Sequence, residues 1–197
     1  MLLLPWRFEP TATVFQQSLH QLGRPGLLRA HRWSSPTAAA SNAVPIRDTL
    51  PEVDMGNWIF GEPPNHVFAQ ANTLPQGYCL QVHLSFRSGG MALFEYAWEP
   101  FFGEGYGSMT LIGDSGAAYQ EDMHDLHLQW RGARPVAAWA RPNGGGGLAA
   151  LQAFADTVRD RRPVPVTLSD ALAAIRVVEA MHQSLLSGTA VALPIHE

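Results

Sequence analysis

Tyr78-Cys-Leu-Gln-Val-His-Leu-Ser-Phe-Arg87 alternates without a break. Tyr78, Leu80, Val82, Leu84 and Phe86 fall on one side of an extended chain. Cys79, Gln81, His83, Ser85 and Arg87 fall on the other. Such a strand buries one face and leaves the other open, which is the mark of an antiparallel sheet. Ser88-Gly-Gly90 then turns the chain into Met91 to Trp98, so the two runs predict a hairpin. Working outward, His66 to Leu74, Gly107 to Gly113, Ala117 to Glu121 and Leu126 to Arg131 predict further antiparallel strands. Leu27 to Ser35 and the short apolar start, Met1 to Trp6, predict two more.

Helical periods surround this sheet. Thr11 to Leu22 predicts a helix stopped at Gly23, and Ile46 to Phe60 a second one stopped at Gly61 before Pro63-Pro64. Pro36 to Val44 reads as a loop. Gly132 to Gly147 also reads as a loop, and its terminal glycine run reads as a hinge. Leu148 to Asp160 predicts a helix with Leu148, Leu151, Phe154 and Val158 on one side. Thr167 opens a longer helix, with Asp170 in the capping-box position. Leu168, Leu172, Ile175, Val178 and Leu185 predict its buried stripe. Gly188 stops that helix, and Ala190 to Leu193 reads as a last short strand. The fold class is α+β: an open, mostly antiparallel sheet with helices on one face. The other face needs a cover, and a second copy of the chain is the natural one.

Composition narrows the partners. The 197 residues suit one domain spanning 1–197. Apolar residues make up 46%, enough for a core. Charged residues make up 15%, low against a typical quarter, which leaves surface for partners. A net charge of −4 without a basic block gives nucleic acid little to bind. Cys79 is the sole cysteine, which excludes an intrachain disulfide and fits a reducing compartment. Met1-Leu-Leu-Leu-Pro-Trp-Arg7 lacks the basic start and long apolar core of a signal peptide. No stretch is long enough to span a bilayer. Together these readings suggest a cytoplasmic protein.

Several motifs stand in a known order. Arg7-Phe-Glu-Pro10 precedes a helix and Gly23-Arg-Pro-Gly26-Leu-Leu28. Asp54-Met-Gly-Asn-Trp58-Ile-Phe-Gly61-Glu-Pro63 leads into Val67-Phe-Ala69. Leu111-Ile-Gly113-Asp-Ser-Gly116 sits in the sheet region. The tail runs from Phe154 through Asp156 and Thr167-Leu-Ser-Asp170 to Met181-His-Gln-Ser184, and closes on Val191-Ala-Leu-Pro194. In this order the chain resembles the C-terminal, substrate and dimerisation domain of the glucose–fructose oxidoreductase/inositol dehydrogenase (Gfo/Idh/MocA) family. The resemblance implies the dihydrodipicolinate/glucose–fructose oxidoreductase C-terminal-domain fold and a homodimer through the open sheet face.

Family members place a nucleotide-binding domain before this one. It carries a glycine-rich phosphate loop and a glutamate-lysine-proline motif, and neither has a match here. Dinucleotide binding needs a strand, a glycine turn and a helix N-terminus. Gly103-Glu-Gly105-Tyr-Gly107 lies among strands instead. This chain is therefore expected to bind no cofactor alone, and NAD(P) enters only with a partner. The family also commonly has, at fixed spacing, an aspartate, a proton-relaying histidine, a second aspartate and a tryptophan. Anchored on Asp54 and Trp58, Pro51 stands at the histidine and Arg47 at the first aspartate. Anchored on Asp48, with one residue deleted, Glu52 stands there. Neither register restores the histidine.

Glu52 and Asp54 are thus the catalytic candidates, with Asp48 and Trp58 as substrate-binding candidates beside them. The competing reading makes these carboxylates complements of a helix dipole. His83, Arg87 and Glu95 are further substrate-binding candidates at a rim, or else polar groups of a subunit interface. Tyr96 and Trp98 read as packing residues. Glu121-Asp-Met-His124-Asp-Leu-His127 has metal-binding letters but no obvious distant ligand, so no metal is expected. Gly113-Asp-Ser-Gly116 has the letters of a serine nucleophile loop without its partners.

Three functions remain open. The first is a stand-alone substrate domain that dimerises and binds a small polar, sugar-like molecule. The second is a subunit of a split NAD(P)-dependent sugar or polyol dehydrogenase, or a partner of a full-length family enzyme. The third is a redox-free isomerase or lyase using the carboxylates near Asp54.

Overall fold

The computed structural model describes residues 4–34, 46–75, 77–98, 106–121, 126–131, 134–138 and 145–194. A 3-10 turn, Pro5–Phe8, leads into helix α1, Pro10–Leu22. Strand β1 is Pro25–Ser34. A second 3-10 turn, Ile46–Thr49, opens into α2, Leu50–Phe60. Then come β2 (His66–Leu74), β3 (Gly77–Ser85), β4 (Met91–Trp98), β5 (Tyr106–Gly113), β6 (Ala117–Glu121), β7 (Leu126–Arg131) and β8 (Arg134–Ala138). Helices α3 (Gly145–Asp160) and α4 (Leu168–Ser187) and the short β9 (Val191–Ala192) close the order.

The described strands form one sheet in the order β8-β7-β6-β5-β1-β4-β3-β2-β9. The β1–β4 pair is parallel and the remaining neighbours are antiparallel, where the structure gives the pairing. The hairpin read from alternation is present: Tyr78 pairs with Trp98 and Ser85 with Met91. Leu80, Val82 and Leu84 of β3 and Phe94, Tyr96 and Trp98 of β4 are buried against the helices. Each large apolar side chain buried this way contributes about 1.5–3 kcal/mol.

Four expectations need correction. Pro5–Phe8 is a 3-10 turn rather than a strand, and residues 1–3 lie outside the described ones. Arg134–Ala138 is a strand inside the predicted loop. The glycine run is partly helical rather than loop, since Gly145 to Gly147 form the first turn of α3 and the Gly146 N–H donates to Glu9 Oε1 at 3.0 Å. The helical stripes are the largest correction. Leu168, Leu172 and Ile175 are exposed on α4, and Leu148, Leu151, Phe154 and Val158 are exposed on α3.

α4 buries Ala171, Ala174, Val177, Ala180, Met181 and Ser184 instead. Small side chains let a helix lie close on β2, and the larger leucines do not fit there. Val178 and Leu185 do pack against the core, half-buried. Ser184 shows how close the approach is. Its Oγ accepts from the Ala69 N–H at 2.9 Å and donates to the Thr189 carbonyl at 2.7 Å. β9 is too short to reach Ala69, so the serine satisfies an edge N–H that would otherwise be lost. The Thr167–Asp170 capping box is present as read. The predicted loop Pro36 to Val44 and the His124 end of the acidic-histidine run lie outside the described residues.

Gly113-Asp-Ser-Gly116 has a structural role. The Ser115 N–H donates to the Leu22 carbonyl at 3.0 Å, and the Asp114 N–H to the Arg24 carbonyl at 3.1 Å. The hairpin tip thereby satisfies an orphan carbonyl at the end of α1. A Cβ on Gly113 would stand 2.1 Å from that Leu22 oxygen. Gly113→Ala is therefore expected to cost about 2 kcal/mol, as overpacked sites do, and to lower the thermal midpoint measurably. An unchanged midpoint would show that α1 and the hairpin tip are not in contact.

Candidate functional site

α2 carries both catalytic candidates, but the structure sends them to different surroundings. Residues two apart on a helix point about 200° apart. Asp54, 1% exposed, faces the 3-10 turn. Arg7 Nε donates to Asp54 Oδ2 at 2.7 Å and Arg7 Nη2 to Oδ1 at 2.6 Å. Arg7 Nη2 also lies 3.3 Å from Asp170 Oδ1, and the guanidinium sits 5.6 Å from the Trp58 ring centre. Burial works to lower the Arg7 pKa, but Asp54 and Asp170 overcome it and raise it. Burial likewise works to raise Asp170, whereas the Thr167 hydroxyl, the Thr167 N–H and Arg7 hold it below the usual range.

Glu52, 7% exposed, faces the sheet. Tyr96 donates its hydroxyl to Glu52 Oε2 at 3.3 Å. Arg32 Nε stands 3.4 Å from Glu52 Oε1 and makes no hydrogen bond. Arg32 itself is held between the Trp6 and Tyr96 rings, 5.6 Å from each centre, and its Nη2 donates to the Asp48 carbonyl. Burial pushes the Glu52 carboxyl up to about 7. The Arg32 charge, a backbone N–H and the Tyr96 hydroxyl pull against that rise, and Asp48 adds to it. Burial and the neighbouring Glu52 raise the Tyr96 phenol well above its ordinary value, so it remains a donor.

Glu52, Arg32 and Trp6 edge a cavity of about 300 Å³ between the 3-10 turn, α2 and the sheet. Leu28, Met55, Phe94 and Met109 supply apolar walls, and Ser108 and Gln120 supply polar ones. A carboxyl that titrates near neutrality beside a cation, at a small cavity, can exchange protons with a bound molecule.

The remaining candidates lie apart. Trp58 and Arg87 line a larger groove of about 780 Å³ beside α4. His83 is exposed on the open sheet face, against Phe68. Glu95 on that face pairs with Arg29 at 2.7 Å. Sequence reasoning missed Arg32 and its aromatic clamp. The signal was present: Leu28, Ala30 and Arg32 alternate on β1, which aims an arginine at the helices. Among the described residues, no group of three metal-ligating side chains stands together. None of their helices is long and apolar enough to cross a membrane.

Residues 32–193 match the model of an oxidoreductase family, its C-terminal alpha/beta domain. The chain belongs to this family. Solved structures agree on the fold. An Agrobacterium radiobacter oxidoreductase, in complex with NAD+, L-tartaric acid and magnesium, aligns with a TM-score of 0.82 at 16% identity, over 98% of this chain and 64% of that one. The Caulobacter crescentus aldose-aldose oxidoreductase, complexed with glycerol, gives 0.79 at 16%, over 96% and 62%. A Synechocystis biliverdin reductase, in complex with biliverdin and NADP+, gives 0.77 at 18%, over 92% and 61%. The chain thus spans less than two thirds of these relatives' length. Among curated proteins none matches it.

Two substitutions separate the carboxylates. Glu52 has a folded-state value of about 7 against an ordinary 4.5, so folding favours its protonated form. That contribution is complete below about 4.5 and is lost as pH rises through about 7, a swing on the order of 3 kcal/mol. Glu52→Gln is expected to remove this swing when urea unfolding is compared at pH 5 and pH 8.5; an unchanged pH dependence would refute it. Asp54→Asn leaves the buried Arg7 charge to Asp170 alone and is expected to cost about 3 kcal/mol in the same assay.

Proposed function

We propose that the chain is the substrate-holding part of an oxidoreductase-family assembly. It binds a small polar, sugar-like molecule in the Glu52 cavity, and it draws any NAD(P) chemistry from a nucleotide-binding domain docked on α3 and α4. The observation that carries this reading is the outward apolar stripe on each helix. Leu151, Phe154, Val158, Leu168, Leu172 and Ile175 are exposed. Apolar faces of this extent mark a surface meant for a partner. Both helices border the N-terminal turn: α3 packs on Pro5–Phe8, and Asp170 at the start of α4 meets Arg7. A domain preceding residue 5 would reach both stripes. The relatives' extra third, beyond a C-terminal domain, is of suitable size. These stripes favour a partnered substrate domain over a stand-alone one.

Neither the Glu52 cavity nor the start of α3 suits a dinucleotide. The Glu52 cavity, about 300 Å³, is at the lower limit of small-molecule sites. The glycine-rich start of α3, where a pyrophosphate would sit, already holds the Glu9 carboxylate.

Within the cavity, Glu52 is the proton carrier. Asp54 is a positioning residue that fixes α2 through Arg7, and Asp48 orients Arg32 through its carbonyl. Trp58 and Arg87 would meet the ligand only if it extended into the neighbouring groove. His83 and Glu95 belong to the open sheet face, where Trp33, Met91 and Ile112 are also exposed. A second copy covering that face would make the homodimer. The Glu52 carboxyl also favours a second reading, a redox-free isomerase or lyase. Turnover of a sugar without cofactor, abolished by Glu52→Gln in a folded protein, would establish that reading.

NADH fluorescence should show no binding by the chain alone, and tight binding would overturn the proposal. Phe154→Glu combined with Ile175→Glu should shift stability by less than about 1 kcal/mol, because both side chains face outward. A large loss in thermal melts would mean that the stripes serve this chain's own core.

A further inference from the structure

The open sheet face carries an ionisable ring at its centre. β1 is the fifth of the nine strands in the sheet order, and on it His31 points away from the helices between Arg29 and Trp33. The His31 ring stacks on Trp33 with centres 5.6 Å apart, and Tyr106 of β5 stands 5.1 Å from both. Trp33 is exposed, so the cluster ends in bare apolar surface. Aromatic side chains at the middle of a face are where association energy concentrates. Beside the cluster, Arg29 and Glu95 form an exposed pair at 2.7 Å. A face that carries both charges can meet each with its opposite when a second copy is turned about a two-fold axis. That complementarity selects a copy of this chain as the occupant. Resting on the homodimer reading above, we propose that this interface is acid-sensitive: protonation of His31 at its centre drives the two copies apart.

The groups around His31 suit a neutral ring. Arg29, two residues away on β1, repels a charge there. Glu95 on β4 is held by Arg29 and, at 3.4 Å, by Gln81 of β3. Glu121 on β6 accepts the Tyr106 hydroxyl at 2.7 Å. Both nearby carboxylates are therefore engaged. Ser108 of β5 brings its hydroxyl 3.1 Å from Nε2 and 3.3 Å from Nδ1, which a neutral imidazole can either accept from or donate to. Burial already lowers the His31 pKa in the single chain; Glu95 and Glu121 pull against that, and Arg29 adds to it. A second copy removes the remaining water and lowers it further. The separated chains then bind the proton more readily than the dimer. Association is consequently complete above the ordinary histidine value of about 6.5 and is lost as pH falls below it. A two-fold interface buries His31 twice, which steepens the loss. His83 on β3 and His66 on β2 lie two and three strands from β1, toward the rim, where water still reaches a charge.

Sedimentation velocity of the full chain over a concentration series, at pH 7.5 and at pH 5.0, tests the proposal. The dimer dissociation constant should weaken about tenfold or more at the lower pH, with circular dichroism unchanged. His31→Phe keeps the ring stack without the charge and should hold the dimer equally tight at both pH values. His31→Gln should lose the dependence too, whereas His83→Gln should keep it. A wild-type constant that is the same at both pH values overturns the acid switch and leaves the homodimer standing. So does a dependence that survives in both His31 variants, one that His83→Gln removes, or a dimer lost only together with the fold. A chain that stays monomeric at both pH values overturns the homodimer as well.

Discussion

Arg7 and Asp54 meet with both carboxylate oxygens engaged and almost no solvent nearby, and three elements come together at that contact. Arg7 belongs to the N-terminal turn, Asp54 to α2, and Asp170 brings in the start of α4. Two charges removed from water are tolerated only in good geometry, because the desolvation of each ion costs several kcal/mol. The two-pronged contact and the Trp58 ring supply that geometry. The pair therefore sets the rotation of α2: with Asp54 toward Arg7, Glu52 must face the sheet.

The second carboxylate inherits the opposite situation. Arg32 is near Glu52 but badly aimed, since aromatic rings and the Asp48 carbonyl hold it in place. Asp54 has a partner that compensates its burial, whereas Glu52 has one that compensates it in part. The first is consequently an anchor and the second a group whose proton is loosely held near neutrality. One helix thus supplies both a fixed point and a carboxyl that titrates near neutrality.

The helical layer leaves two surfaces unfinished. Among the described residues, the sheet face away from the helices exposes Trp33, Met91 and Ile112, and α3 and α4 turn their larger apolar side chains outward. Among the described side chains of α3, Ala150 alone is buried. A helix with this pattern gains little from the domain it is attached to.

Alternation in residues 78–98, the glycine stops and the Thr167–Asp170 cap were legible without coordinates, because each depends on neighbours a few residues away. They determined the sheet, its hairpin, the helices and the α+β class. Which side of α4 packs inward was not legible, since Leu168, Leu172 and Ile175 are more apolar than Ala171, Ala174 and Ala180, and periodicity favours the larger set. Only the close approach to β2 selects the alanines. The site followed the same rule. Glu52 and Asp54 read as one cluster in the sequence. The tertiary structure separated them, because the buried charge of Arg7 takes one carboxylate and leaves the other facing the cavity.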